Sequence, residues 1–476
     1  MIDILLINPY PESAYGINEG TVEPPIGLGY LAAIAGQKGV SCRVIDANVL
    51  HIKADELFSE IKSMMPAIVG ISVNLYSYQV SLKLTRIIKD SFPEMVVLLG
   101  GPTPSSTPLK VMNESMADAV VIGEAEETFG EILGRYKEKG HLFKDIAGLS
   151  YRQDGKVIAN SGRAFIKDIN LLPFPAYELF PDFKNYKMKA RKRPVAPLIT
   201  SRGCFYQCVF CSKDVFKDVC RMRSPESVIQ EIDILVKKYG VKQIDILDDN
   251  FTSDKKRTEK ILDLIIERNY DLCINLQTGV RTESLDENII QKMKKARIWK
   301  FGIGVESGDA AVLKKIKKHL DLNRVLEVTR MARKAGIEVY GFFIIGLPGD
   351  TAESMQKTID FAIRMNPTIA NFCIAIPFPG TELYEMIQKE GRFLIKVDDG
   401  IDTGFYANEV FYELDGMSKE TILRYYKKAM RDFYFRPAKI FELVMGIRSK
   451  DEFKWLFSTG FSVIKNFFKK KHELLK

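Results

Sequence analysis

Hydrophobic residues in the first ~140 positions gather into short unbroken runs separated by amphipathic stretches. DILLIN (3–8), CRVIDA (42–47), AIVGISV (67–73), MVVLLGG (95–101) and DAVVIGE (118–124) read as strands. Continuous apolar runs of this kind belong to parallel strands covered by helices on both faces. Segments 26–38, 54–64, 78–91, 108–114 and 126–139 carry helical spacing. Five β-α units predict a doubly wound, flavodoxin-like (Rossmann-like) α/β sheet, whose ligand sits beyond the carboxyl ends of the strands. Those ends hold Asn8, Ser72 and Asn74, Gly100 and Gly101, and Gly123 and Glu124. Small residues and glycines there let a large flat ligand approach the backbone.

Residues 141–190 read as a connector. It contains a hairpin, LSYRQDGKVIAN (149–160), with Asp154-Gly155 as its turn, and then the aromatic, proline-rich LLPFPAYELFPDF (171–183). A second series of strands follows: PLITSRG (197–203), QIDILDD (243–249), INLQTG (274–279), KFGIGVES (300–307), VYGFFIIG (339–346) and NFCIAIP (371–377). Polar helical segments separate them, which predicts a partial (β/α)6 barrel with its chemistry at the carboxyl ends of the strands. From about Met417 the pattern is purely helical. The expected divisions are 1–140, 141–190, 191–410 and a helical C-terminal extension, 411–476.

Composition adds limits. The 476 residues are 46% hydrophobic and 27% charged, ordinary values for a globular protein. MIDILLINPYPE has no basic leader and no small-residue cleavage site, so export is not expected. The most apolar run, 339–347, is about half of what a membrane-spanning helix needs. A cytoplasmic protein is expected, at most attached to the inner face of a membrane. The net charge of +8 is concentrated in 436–476, where ten Lys/Arg stand against four Asp/Glu. That argues for a local basic surface and against general nucleic-acid binding.

Seven cysteines in such a chain are poor material for a disulfide framework. Cys42, Cys220, Cys273 and Cys373 are scattered and read as small apolar residues. Cys204, Cys208 and Cys211 crowd together in SRGCFYQCVFCSKD, directly after an apolar strand. Thiolates suit iron–sulfur clusters, zinc or copper(I). Structural zinc wants four ligands, usually as two close pairs. Here there are three, and His51, His141, His319 and His472 all lie far off in sequence. Three ligands on a four-iron cluster leave one iron open, which is a catalytic arrangement.

C-x3-C-x-aromatic-C, with Phe210 in the aromatic slot, resembles the signature of radical S-adenosylmethionine (SAM) enzymes. The resemblance implies a 4Fe–4S cluster on the three cysteines, with SAM chelated to the open iron and cleaved reductively to a 5′-deoxyadenosyl radical. It also implies an electron donor such as flavodoxin or ferredoxin. Other strand ends match in turn. Asp248, Asp249 and Asn250 resemble the acidic segment that contacts the amino group of SAM, and Arg281 is similar to the arginine that holds its carboxylate. Glu306 is similar to a ribose or amino-group contact, and Gly346, in GFFIIGLPGDT, to the glycine segment along adenine. IPFPGTELY (376–384) resembles the motif beneath it. One carboxylate at a strand end is commonly a helix cap; a set at successive ends favours function.

Gly27-Leu28-Gly29-Tyr30-Leu31-Ala32 fits a dinucleotide fingerprint, and Asp46 follows it. About eighteen residues separate it from the first strand, which spoils the tight phosphate-binding turn. Such a loop leaves room for a macrocycle. The N-terminal stretch, with PPIGLGYLAAIAGQKG, GGPTP and ADAVVIGEAEETF, resembles the cobalamin-binding domain that precedes many radical SAM barrels. The D-x-H-x-x-G motif of many cobalamin enzymes is absent, so cobalt would lack a histidine ligand.

The resemblance implies an enzyme that uses SAM, the cluster and cobalamin to methylate an unactivated carbon of a small, hydrophobic or lipid-like substrate. Cobalamin-dependent cyclisation or rearrangement is the rival within the class, and a non-catalytic cobalamin or cluster sensor the rival outside it. The tail FSVIKNFFKKKHELLK (461–476) joins aromatic anchors to lysines, a pattern that suits peripheral contact with an anionic membrane face or a solvated helix.

Overall fold

The computed structural model describes residues 2–11, 22–186, 190–395, 397 and 409–447. Strands β1 (Ile4–Asn8), β2 (Cys42–Asp46), β3 (Ile68–Ser72), β4 (Val96–Gly100) and β5 (Ala119–Val121) form within the apolar runs. Among the described residues they pair all-parallel in the order β2-β1-β3-β4-β5. This flavodoxin-like order puts the topological switch between β1 and β3. Successive strand residues point to opposite faces, and each face buries its own cluster. Ile4, Leu6, Ile68 and Leu98 pack with Leu28 and Ala32 of helix Ile26–Gln37. Leu5, Ile7, Val69 and Ile71 pack with Leu57 and Ile61 of helix Ala54–Met64, and with Leu84 of helix Tyr78–Ser91. Two buried faces explain runs with no polar alternation.

The hairpin β6 (Leu149–Gln153) and β7 (Lys156–Ala159) turns at Asp154 and Gly155, both with positive φ, as a two-residue primed turn requires. The sequence pattern places it in the connector; the structure builds it antiparallel onto β5, at the end of the first sheet. Without it the three residues of β5 would be an open edge. Farther on, Pro175 and Phe180 rest on Gly29, where a Cβ would meet the proline at 2.8 Å. The glycine of the fingerprint-like segment therefore serves close packing of the linker on the first helix.

The second sheet begins with β8 (Val195–Leu198). A short antiparallel pair follows, β9 (Ser201–Arg202) with β10 (Arg221–Met222), and then β11 (Gln243–Ile246), β12 (Cys273–Leu276), β13 (Ile298–Glu306), β14 (Glu338–Ile345) and β15 (Ile369–Ile374). Among the described residues, β8 and β11 to β15 pair in parallel and in chain order, giving the expected six-unit partial barrel. The apolar run at Pro197 extends past its strand because Ser201 and Arg202 leave the sheet to pair with Arg221 and Met222.

Ile244, Ile274, Phe301, Phe343 and Phe372 join the buried core. The alternate positions Asp245, Asn275 and Lys300 face the other way, into the lumen. Along β14 and β15 the lumen side is partly exposed at every second residue, including Tyr340, Phe342, Ile344, Asn371 and Cys373. A filled barrel would bury bulky branched side chains there. This lumen is open and polar at one level.

Helix Lys419–Tyr434 lies against β15 and helix Ala352–Met365. The Tyr434 hydroxyl donates to the Ala370 carbonyl at 2.7 Å and accepts from the Ala370 N–H at 3.2 Å. Helix Pro437–Met445 follows; the basic tail 461–476 lies outside the described residues. Among the described residues no helix is long and apolar enough to cross a membrane.

Candidate functional site

The loop between β9 and β10 carries all three clustered cysteines. Gly203 starts it with φ of 82°, and a Cβ there would overlap the Val219 carbonyl oxygen, so glycine lets the two legs of the loop come together. The Gly203 N–H donates to Asp249 at 3.0 Å. In mid-loop the Val209 N–H donates to the Ile316 carbonyl at 3.1 Å, and the Val209 carbonyl accepts from the Leu383 N–H at 2.8 Å. The loop is thus tied to the ends of several barrel units. Phe210 packs half-buried against the core.

Cys204 and Cys208 are half-buried and Cys211 is exposed; all three are free thiols. Although Cys211 is exposed as a residue, the protein packed around its sulfur, and then charge repulsion from the other thiols and Asp249, pushes its thiol up to about 11; burial likewise raises Cys204. Arg281 opposes this at Cys204 and Lys318 at Cys211. As thiolates the trio needs more cationic charge than these side chains bring, which is what bound iron provides. Among the described residues no three His, Cys, Asp or Glu side chains converge on a single metal ion. The donor set, three thiolates without a fourth protein ligand beside them among the described residues, fits a cluster in which each thiolate binds a different iron.

Buried polar atoms without partners stand around the loop, among them Nε of Arg281 and Nδ2 of Asn250. Buried donors are almost always satisfied; those of Arg281 and Asn250 fit a ligand that accepts hydrogen bonds, as the carboxylate of SAM does, while Nε and Nη2 of Arg221 are left open beside its bond to Glu124. The Arg281 guanidinium lies 3.7 Å from the ring centre of Tyr206, within the cysteine loop. Glu306, at φ 65° beyond a register shift in β13, is paired with the buried Lys318 at 2.9 Å.

Some expected contacts have other work. The Asp248 carboxylate is taken up by the Thr200 N–H at 2.6 Å, the Thr200 hydroxyl at 2.5 Å and the Ser201 hydroxyl at 2.7 Å. It shapes the approach to the loop, and Asp249 is the carboxylate turned toward the cysteines. Gly346 has its carbonyl bonded to the Tyr412 hydroxyl at 2.5 Å, and Ile422 would stand 3.3 Å from a Cβ there. The C-terminal extension covers that position.

At the strand ends of the first sheet, Ser72, Gly100, Gly101 and Gly123 are half-buried and free of bulk. A Cβ on Gly123 would stand 3.7 Å from its nearest neighbour, the Val215 carbonyl oxygen of the cysteine-bearing loop. The two sets of strand ends therefore face each other across that loop. The buried Thr103 hydroxyl close by lacks a partner. Small residues and an unpaired hydroxyl fit a large ligand such as cobalamin. Asn8 instead gives its amide to Asp46 at 2.8 Å, and Asn74 accepts from the N–H groups of Tyr76 and Ser77 in a local turn.

Glu124 is also committed elsewhere. Buried with Glu126, Arg202 and Arg221, it accepts from Arg202 at 2.9 Å and from Arg221 at 2.5 Å, while Glu126 accepts from Arg202 at 2.6 Å. The network joins the end of β5 to both legs of the cysteine loop. Sequence reasoning missed Arg202, Arg221, Lys318 and Tyr206. For the arginines and Tyr206 the signal was available in their position beside or within the cysteine loop; for Lys318 there was none.

Residues 198–362 match the family model of the radical SAM superfamily, and residues 13–133 match that of the B12 binding domain. An uncharacterized methyltransferase of Pyrococcus horikoshii is 34% identical over 440 residues, 92% of this chain and 93% of that protein. The cytidylyl-2-hydroxyethylphosphonate methyltransferase of Streptomyces wedmorensis is 29% identical over 425 residues, covering 77% and 78%. The solved radical SAM methyltransferase TsrM of Kitasatospora setae, with cobalamin and a [4Fe-4S] cluster bound, superposes with a TM-score of 0.69 at 15% identity, over 92% of this chain and 90% of that one. At that identity the likeness is one of fold.

Proposed function

Because this chain belongs to the radical SAM superfamily, in the methyltransferase-like group with an N-terminal B12-binding domain, we propose that it methylates an unactivated carbon of a small, lipid-like molecule. The observation that carries the reading is the loop holding Cys204, Cys208 and Cys211 between the facing strand ends of the two sheets. When bound, a 4Fe–4S cluster supplies the electron that cleaves SAM, and cobalamin supplies the methyl group.

The chain's own residues hold, orient and exclude water. Cys204, Cys208 and Cys211 ligate the cluster, and Asp248 and Asp249 fix their loop through Thr200, Ser201 and Gly203. Arg281, steadied on Tyr206, and Asn250 offer their unpaired donors to the carboxylate of SAM. Lys318 pairs with Glu306 at the rim and holds its carboxylate in place. The half-buried Ser72, Gly100, Gly101 and Gly123 give cobalamin room to lie against the first sheet. Helix Pro437–Met445 exposes Phe441, Val444 and Met445, an apolar face of the kind a peripheral membrane contact would use. Flavodoxin or ferredoxin is the expected reductant.

Anaerobic reconstitution with iron, sulfide and cobalamin tests the proposal. Under reductant with SAM, the protein should form 5′-deoxyadenosine, and Cys208→Ala should lose both that product and the iron–sulfur absorbance. Methyl-labelled SAM should label the product; an unlabelled product means cyclisation or rearrangement. A fully loaded protein that makes no deoxyadenosine is a sensor, and the proposal fails.

A further inference from the structure

We infer that Lys300 and Asn275, on the floor of the barrel lumen, bind an uncharged end of the substrate that both accepts and donates hydrogen bonds, a hydroxyl or a primary amide. The inference rests on the reading above that the chain acts on a small molecule at the barrel mouth.

Asp245, Asn275, Lys300 and Glu338 pair successively across four strands, so they form one layer. Asp245 is 2%, Asn275 1% and Lys300 8% exposed. The Lys300 ammonium makes no hydrogen bond or ion pair among the described residues; it stands 4.6 Å from the ring centre of Tyr340 and 5.0 Å from that of Trp299. Oδ1 of Asn275 has no partner either. An unmade hydrogen bond at an atom as buried as Oδ1 of Asn275 is a cost that a bound donor would remove. A donor and an acceptor left free in one layer, beneath an open cleft, are what a bound polar group would complete.

The charges around the layer select the kind of group. Arg191 closes the floor beside Glu338, which it binds at 2.8 Å, and its N–H donates to Gln243 at 2.8 Å. Glu23, from the loop after β1, accepts from Gln277 and faces Lys300 and Asp245. Lys300 thus lies within the field of Asp245, Glu338 and Glu23, with Arg191 opposing them. An anion would meet three carboxyl groups, and a cation would meet Lys300 and Arg191. A neutral group that accepts from Lys300 and donates to Asn275 meets neither penalty.

Above the floor the wall is apolar, with Tyr340, Phe342 and Ile344 lining one side. Asp248, which shapes the cysteine loop, is three residues beyond Asp245, or about 10 Å at strand rise. The pocket therefore takes an amphiphile with its polar end inward and its apolar body toward the cysteines.

The anaerobically reconstituted holoenzyme can be titrated with octan-1-ol, octanamide, octanoate and octylamine, read by tryptophan fluorescence, since Trp299 adjoins Lys300. The alcohol and the amide should bind about tenfold more tightly than the ions, as expected for one completed buried hydrogen bond. Lys300→Met and Asn275→Leu should each erase that preference, with circular dichroism and iron content separating lost recognition from lost folding. Equal binding of the four probes, no saturable binding, or a preference that survives both substitutions overturns the inference. The headgroup preference of the unsubstituted protein decides the matter even if a variant fails to fold. Deoxyadenosine formation, assayed in parallel, separates this result from failure of the radical SAM reading.

Discussion

Arg202, two residues before Cys204, donates at 2.9 Å to Glu124, which follows the fifth strand of the other sheet. The first cysteine of the cluster loop is thereby joined by charge to the domain that faces it. Arg221, on the other leg of the loop, binds the same carboxylate. Replacing Glu124 with Ala leaves Arg221 without a carboxylate in a buried setting, and such losses cost about 3–5 kcal/mol. Urea unfolding should show a drop of that order, and the purified variant should carry less iron. An unchanged midpoint would mean the network is idle.

The neighbours Asp248 and Asp249 should separate when replaced. Asp248→Ala strands the buried Thr200 N–H and two hydroxyls, a loss of about 2–3 kcal/mol in folding stability. Asp249→Ala removes one bond, from Gly203, and should leave the unfolding midpoint nearly in place while lowering deoxyadenosine formation. Equal destabilisation by both would remove the distinction.

Burial, with the charge of Asp245 beside it, pushes the Glu23 carboxyl up to about 7 from its ordinary 4.5. The folded protein then keeps a proton that the unfolded chain has already released. Stability from this group is therefore present below pH ~4.5 and is lost as pH rises toward ~7, after which it is constant. Glu23→Gln should flatten the fall in melting temperature across that window. A slope the substitution leaves intact would assign the effect to another group.

Two glycines at the first sheet's strand ends should respond differently to a methyl group. Gly101 has φ of 113°, and a Cβ would lie 2.7 Å from the Val73 carbonyl oxygen. Gly101→Ala should cost about 2–3 kcal/mol and reduce the corrinoid retained per chain. Gly123, at φ 74° with its nearest neighbour at 3.7 Å, should lose only about 1 kcal/mol on the same change. Chemical unfolding and the corrinoid absorbance of the reconstituted proteins measure both.

The fold was legible because periodicity and burial agree. Helices Ala54–Met64, Tyr78–Ser91 and Pro108–Glu114 begin and end where their spacing predicts. Local pattern says little about pairing across domains. The carboxylate of Glu124 reads alike whether it meets a ligand or Arg202, some eighty positions on, and only the fold decides. Asp248 and Asp249 are likewise indistinguishable as letters, yet adjacent strand-end residues point in different directions, one to Thr200 and one to Gly203. Short helices such as Pro102–Ser106 escaped notice because one turn carries no periodic signal.

A crescent of strands, unlike a closed ring, keeps an outer rim of backbone groups that could recruit a strand from a neighbouring molecule. Tyr434 occupies that rim at Ala370, its single hydroxyl taking both the donor and the acceptor that an intruding chain would seek. Helix Lys419–Tyr434 thus acts as a stopper against edge-to-edge aggregation, and a chain cut short before Tyr434 would leave Ala370 as a point of self-association.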